Sequence, residues 1–460
     1  MFETITPIDN STLVKRNYAS DTEIEKVLSN SFRIKNSWRS VPLQERKKLV
    51  LNFVENFLLN QQEVVETLCK QIGRPISQCP GEIRGFEERA KYMIENADKA
   101  LEDIISKKDI EFDNYIKKDP LGTIFIIAPW NYPFNTSVNS IVPSLLAGNT
   151  IILKHSSQTP LCAEQLYEAA KKANLPENIF QYLHLDHSST SKIIADNRVN
   201  HVLFTGSVSG GKEIKKSMGT RFISAGLELG GKDPAYVRSD CNLDHAIENL
   251  VDGSYFNSGQ SCCGIERIYV DEKIYDNFID GFKSITEQYI LGNPLDKNTN
   301  LGPVVRLNAA KYIRTHLSSA LNQGAKNIIN EKKFNIDDGS NCYVSPSALV
   351  NVNHNMEFMR EETFGPTVGI MKVQNEKEAI KLMNDSAYGL TASVWTSDKE
   401  FAQDLGSKIE TGTFFMNRCD YLDPGLAWTG VKDTGIGVTL SVLGFDHLTR
   451  AKSFHIRTLQ

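Results

Sequence analysis

Between Asn257 and Arg267 the chain reads Asn-Ser-Gly-Gln-Ser-Cys-Cys-Gly-Ile-Glu-Arg, with two adjacent cysteines after a Gly-Gln pair and before the β-rich run Arg267-Ile-Tyr-Val270. A cysteine at such a junction can expose its sulfur while backbone amides converge on the atom it attacks, the arrangement covalent catalysis by a thiolate requires. The alternative is that Cys262 and Cys263 are small buried apolar residues, the ordinary state of a free cysteine. Glu228 has Gly226 before it and Gly230-Gly231 after it. Those glycines allow close backbone approach, so the carboxylate can project into a cleft rather than sit solvated on the surface. Asn131 lies in a turn between Pro129 and Pro133, which limits its backbone freedom. Its uncharged amide, with the backbone N–H of Cys262, would hold an oxyanion; a turn asparagine with no further role is the competing reading.

A glycine turn, Thr205-Gly-Ser-Val-Ser-Gly-Gly-Lys212, follows the apolar run His201-Val-Leu-Phe204. A turn between a strand and a helix offers amide donors and a helix N-terminus to a pyrophosphate, although its spacing is not that of the common Gly-x-Gly-x-x-Gly motif and an ordinary tight turn would read the same. Lys154 closes the strand Thr150-Ile-Ile-Leu-Lys154, where its ammonium can reach a ribose.

Four of these stretches, Pro129-Trp-Asn-Tyr-Pro133, Glu228-Leu-Gly-Gly-Lys232, Gly259-Gln-Ser-Cys262 and Glu361-Glu-Thr-Phe-Gly-Pro366, occur in an order and at spacings that resemble the aldehyde dehydrogenase superfamily over nearly the whole chain. The resemblance implies that Cys262 is the nucleophile, Cys263 the small residue after it, Asn131 an oxyanion donor and Glu228 the general base that activates water or the thiol. CoA-acylating relatives generally lack that base, so its presence favours hydrolysis of a thioester. Phe204-Thr-Gly-Ser207 with Gly211 looks like the family's nucleotide turn, so Gly206, Ser207 and Gly211 are expected at the cofactor, with Ser207 on phosphate. Trp130 is expected beside them. By the same resemblance Glu362 binds the nicotinamide ribose, Phe364 packs beside the ring, and Glu361 is structural. The family often has an acidic residue three positions after Lys154, where this chain has Ser157, with His155 where proline is frequent. Without that carboxylate, Lys154 and Ser157 can hold a 2′-phosphate, so NADP is favoured over NAD, as in the semialdehyde-oxidising branch. The neutral alternative is that either cofactor serves.

The expected activity is therefore oxidation of an aldehyde to its acid through a cysteine thioester, with succinic semialdehyde as the candidate substrate. General aliphatic or aromatic aldehydes, and a structural member of the fold that has lost activity, are the alternatives. No metal is implied. In Asn417-Arg-Cys-Asp-Tyr421, which by resemblance walls the mouth of the aldehyde site, Arg418 either holds a substrate carboxylate or pairs with Asp420 or Asp423 to shape the loop.

The elements that must position these residues follow an α/β pattern. Residues 21–105 read as helical, with breaks at Gly73-Arg-Pro75 and Cys79-Pro-Gly81. From Thr123 apolar strands alternate with helices (strands 123–128, 150–154, 180–183 and 201–204), which predicts a parallel sheet covered on both faces. A second α/β unit follows, with strands near 267–270, 392–395 and 413–416 and helices over 275–289, 309–322 and 376–384. Residues 109–118 and 453–457 alternate in polarity like strands and need a partner; they are either edge strands of the main sheet or, by resemblance, the bridging domain that joins subunits. The expected organisation is a Rossmann-type NAD(P)-binding domain over 1–107 and 121–231, a catalytic domain over 232–430, and bridging strands over 108–120 and 445–460 in a homodimer or homotetramer.

The 460 residues are too many for one simple core. With 40% hydrophobic and 23% charged residues the composition is that of a globular protein. A formal charge of -5 leaves no broad basic field for nucleic acid. No apolar run approaches the ~18 residues of a membrane span, and no secretory signal opens the chain. The eight cysteines lack the spacing of a zinc site or a disulfide framework, so a reducing cytoplasm is the expected setting.

Overall fold

Every residue of the strand Thr123–Ala128 is buried, so the sheet containing it must be covered on both faces. The structure is a computed structural model that describes residues 1–459, so Gln460, the end of the predicted 445–460 segment, lies outside the described residues. The sheet runs in the order Gly435–Ile436, Ser224–Glu228, His201–Thr205, Thr123–Ala128, Thr150–His155, Phe180–Tyr182. All neighbours are parallel except the short edge strand Gly435–Ile436. From Thr123–Ala128 the chain moves outward through Thr150–His155 and then returns to His201–Thr205 on the other side. The strand order reverses there, and a crevice opens beyond the carboxyl ends. Residues 129–131 and 206–207 are delivered to that crevice. The helix Pro133–Ala147 begins with proline in its first turn and ends on Gly148, whose φ of 95° is left-handed.

A second sheet, seven-stranded, has the order Lys326–Asn327, Ser347–Val350, Thr367–Val373, Ile265–Asp271, Asp233–Val237, Thr391–Trp395, Thr413–Met416. Only its first pair is antiparallel. Two strands beside the site, Ser224–Glu228 and Asp233–Val237, are absent from the sequence reading: their Gly, Asp and Pro content masks the apolar pattern.

The segments 112–120 and 449–457 pair antiparallel from Phe112↔Arg457 to Pro120↔Thr449. They form a separate three-stranded sheet rather than edges of a main one. Its third strand, Ile104–Lys108, corrects the helical reading of 21–105; the helix before it ends at Ala100, and a register shift between Ile105 and Lys107 breaks the alternation that would have marked a strand. A second correction concerns Cys79-Pro-Gly81. It does not interrupt a helix but starts one, Cys79–Ala100, because proline's missing N–H is harmless in the first turn. Glu82 and Arg89 thus stand seven residues apart on one helix, two turns along one face. Among the described residues no helix is long and apolar enough to cross a membrane.

Candidate active site

The helix Leu243–Tyr255 is followed by three left-handed residues, Asn257 (φ 52°), Ser258 (φ 57°) and Gly259 (φ 68°). For the first two this conformation is uncommon and costs on the order of 1–3 kcal/mol each, so the surroundings must impose it. They do. Asn257 Oδ1 accepts from Arg74 Nε at 3.0 Å, and Ser258 Oγ donates to the Gly302 carbonyl at 2.8 Å. At Gly259 a Cβ would stand 2.1 Å from the Gly365 carbonyl oxygen, so only glycine lets the two loops meet.

This turn sets the two cysteines apart. Cys263 is buried, and its Sγ donates to Asp420 Oδ1 at 2.9 Å, an oxygen that also accepts from Ser261 Oγ at 3.0 Å. The adjacent Cys262 and burial push the Cys263 thiol well above its usual range, so it stays protonated and unreactive. Cys262 is half-buried and lines the open space on both sides of it. Burial raises the Asp420 carboxyl to about 6, against the pull of Cys263 and Ser261.

Asn131 is buried, and its Nδ2 donates to the Gln260 carbonyl at 3.1 Å, which ties it to the cysteine loop. Its own carbonyl accepts from Arg74 and from Asn257 Nδ2, the latter at 3.3 Å. Arg74 is fully buried against Glu82, whose other oxygen accepts from the amides of Phe134 at 2.8 Å and Asn135 at 3.2 Å. One ion pair therefore caps the helix Pro133–Ala147, orients Asn131 and holds Asn257 in its left-handed turn.

Glu228 ends its strand half-buried, accepting from Thr205 Oγ1 at 2.9 Å and Thr439 Oγ1 at 2.5 Å. Burial pushes its pKa up from 4.5, and the two threonines, with Arg89 further away, only partly offset this. Glu362 accepts from the Gly231 amide at 3.0 Å; burial and the nearby Glu266 raise it to about 8. The loop carrying Glu362 and Phe364 is held from beneath by the buried pair Lys232–Glu266, with Glu266 accepting from the amides of Thr363 at 2.9 Å and Phe364 at 3.0 Å. The Phe364 ring meets Trp130 edge-on, centroids 5.6 Å apart.

A cavity of about 530 Å³ brings together Trp130, Asn131, Glu228, Cys262, Glu362 and Phe364, with Gly206 and Ser207 also in its wall. Ser207 caps the helix Val208–Met218, its oxygen accepting from the Gly210 amide at 3.1 Å. Three expected cofactor residues lie outside this cavity's wall. Gly211 is buried in the first turn of that helix, where a Cβ would stand 2.7 Å from the Leu229 side chain, so it sets helix-to-strand packing. Lys154 and Ser157 lie at the end of the neighbouring strand. Burial lowers Lys154 to about 8, and no carboxylate stands within 4 Å of it among the described residues. Ser157 is exposed, its carbonyl accepting from Thr4 Oγ1 at 2.8 Å. His155, between Ser137 Oγ and Thr159 Oγ1 at 3.1 and 3.2 Å, is kept neutral by burial, with a pKa near 3. An uncompensated lysine, a helix N-terminus and a buried carboxyl along one crevice suit a dinucleotide.

On the other side of Cys262 a second cavity, about 370 Å³, is lined by Arg84, Arg89, Asn135, Asp420 and Tyr421 among others. Arg418 is not in its wall. It is exposed and stacks on the Tyr421 ring at 3.4 Å from the centroid, pairing with neither Asp420 nor Asp423. The expected pair with Asp420 or Asp423 is therefore not formed, and the stack on Tyr421 takes its place. Arg74, Glu82, Arg89 and Thr439 were assigned no role from the sequence, and Asp420 was read only as a partner for Arg418, not for Cys263 and Ser261. The only signal was Gly73-Arg-Pro75, a short break with one charge in it.

This site sets a half-buried thiol between two cavities, with a carboxylate in the wall of one of them. The sequence pattern of the Aldehyde dehydrogenase family matches residues 1–454, and the chain belongs to that family. It is an NAD(P)-dependent oxidoreductase acting on aldehydes. The NAD(P)+ succinate semialdehyde dehydrogenase Sad of Escherichia coli is 30% identical over 443 residues, 96% of this chain and 94% of that one. The 3-sulfolactaldehyde dehydrogenase of Priestia aryabhattai is 32% identical over 399 residues, 85% and 82% of the two chains. The crystal structure of succinic semialdehyde dehydrogenase from Streptococcus pyogenes, in complex with NADP+, superposes with a TM-score of 0.94 at 29% identity, covering 99% of this chain and 100% of that one.

Proposed function

We propose that the protein oxidises a short aldehyde carrying an anionic group, of the succinic semialdehyde type, to the free acid through a Cys262 thioester, with NADP preferred. The observation that carries this is the position of Cys262: it walls both the cavity containing Glu228, Glu362 and Phe364 and the cavity containing Arg89. The Cys262 thiolate attacks the aldehyde carbon, and the oxyanion is held by the second N–H of Asn131 Nδ2 and the Cys262 amide. The nicotinamide, when bound, supplies the hydride acceptor. Collapse of the oxyanion leaves a thioester on Cys262. Glu228 then takes a proton from water, whose oxygen attacks the thioester carbon and releases the carboxylic acid and the thiolate. Glu362 and the N-terminus of Val208–Met218 would hold the cofactor, and Lys154 with Ser157 would take a 2′-phosphate, there being no acid to repel it. The first sheet and its helices form the cofactor domain in this reading, and the second sheet the catalytic domain.

Initial rates for succinic semialdehyde and butanal, each with NADP and NAD and without CoA or phosphate, test this. Acid is expected with NADP and the semialdehyde as the best pair, and Ser157→Glu is expected to move the kcat/KM ratio toward NAD. A requirement for CoA would sink the hydrolytic cycle, and an unmoved ratio would remove Ser157 from the ribose.

The three-stranded sheet leaves Ile104, Ile105 and Ile456 exposed, an apolar surface suited to a second copy of the chain. Deleting residues 453–460 is expected to lower the mass seen by light scattering; an unchanged mass would exclude this sheet as the subunit bridge.

A further inference from the structure

Of the cationic side chains lining the cavity on the aldehyde side of Cys262, Arg89 is the one that is buried with no carboxylate beside it; Arg84 also lacks a carboxylate partner among the described residues but is exposed to solvent. Arg74 is paired with Glu82, Glu88 accepts from Tyr421 Oη at 3.0 Å, and Asp420 accepts from Ser261 and Cys263. Arg89 is 8% exposed and makes a single hydrogen bond, Nη1 to the Asn135 carbonyl at 2.9 Å, with no carboxylate within 4 Å among the described residues. A buried carboxyl such as Asp420 can relieve its desolvation by taking a proton, whereas a guanidinium cannot shed its charge. Asn135 stands beside it on the same wall, 8% exposed, its side-chain oxygen without a partner. The helix Cys79–Ala100 is held against this wall at Gly85, where a Cβ would stand 2.9 Å from the Asn135 amide.

We infer that Arg89 is the anchor for the anionic end of the substrate and so the residue that selects a semialdehyde over a neutral aldehyde. This rests on the anionic-substrate reading above and names the group responsible for it. The guanidinium offers a planar fork to a carboxylate or a sulfonate, while Cys262 in the same wall meets the aldehyde end. The exposed Arg84 and the stacked Arg418 are not needed.

The test compares kcat/KM for succinic semialdehyde and for butanal, with NADP. In the unaltered enzyme the semialdehyde is expected to be preferred. In Arg89→Met the ratio of the two is expected to fall at least about tenfold, through KM for the semialdehyde, the size of one charge-assisted hydrogen bond. Arg89→Lys is expected to restore part of it. Arg89→Gln, which keeps a donor for the Asn135 carbonyl, replaces Arg89→Met if the latter does not fold, with the same expected loss. A semialdehyde preference that survives these changes, or that is lost in Arg84→Gln instead, overturns the role of Arg89 and leaves the substrate class standing. A preference for butanal in the unaltered enzyme overturns the substrate class itself.

Discussion

Cys262→Ala, mixed with aldehyde and NADP, is expected to give neither a burst of NADPH nor any acid, with cofactor binding intact. The loss should be at least about 10⁴-fold in kcat, because the covalent step disappears rather than slows. Cys263→Ala, one position on, should behave differently. Its sulfur is a buried donor to Asp420, so the expected cost is stability of about 1 kcal/mol, with most turnover kept. A single-turnover burst read beside a melting curve separates the two variants. Turnover surviving in Cys262→Ala and vanishing in Cys263→Ala would exchange the roles of the two sulfurs.

In Glu228→Gln the first NADPH is expected to form at nearly the normal rate while steady-state turnover falls by about 10²–10⁴-fold, since only the hydrolytic half needs the base. The pH dependence follows from burial. The folded carboxyl has its pKa raised above 4.5, so it is ionised and competent above that raised value and is lost as a base when pH falls through it. The acid limb of kcat should accordingly lie above 4.5, and Glu228→Gln should lack it. Thr439→Val, which removes a hydrogen bond that favours the ionised form, should move the limb further up. If hydride transfer slowed in Glu228→Gln and acid release did not, the carboxylate would be acting on the thiol.

What the sequence made readable was whatever is local. Thr123–Ala128 is an apolar run that can only be a doubly covered strand, and the turns at 129–133 and 205–212 stand out by their prolines and glycines. The cysteine loop stands out by Gly-Gln and its paired sulfurs. What stayed hidden is long-range. Arg74 acts on Asn131 and Asn257, 57 and 183 residues away, and in sequence it is one arginine beside a proline. Thr439 and Asp420 are 211 and 157 residues from Glu228 and Cys263, their partners. Arg89 sits among Glu87, Glu88 and Lys91, where a charge looks like part of a solvated face; only packing against Pro133–Ala147 buries it.

The strand Gly435–Ile436 follows the last strand of the seven-stranded sheet in sequence but adds itself, antiparallel, to the far edge of the first sheet at Glu228 and Leu227. Thr439, just beyond it, supplies the second hydroxyl on the Glu228 carboxylate. During synthesis the thiol at position 262 is therefore made long before the segment that completes the surroundings of Glu228, which is among the last to emerge from the ribosome. The nascent chain carries the Cys262 thiol while the Glu228 carboxylate still lacks one of its two threonine hydrogen bonds, until nearly its whole length has been translated. A protein cut short between residues 263 and 435 would keep the Cys262 thiol and the Glu228 carboxyl but lack the Thr439 hydroxyl that hydrogen-bonds that carboxyl.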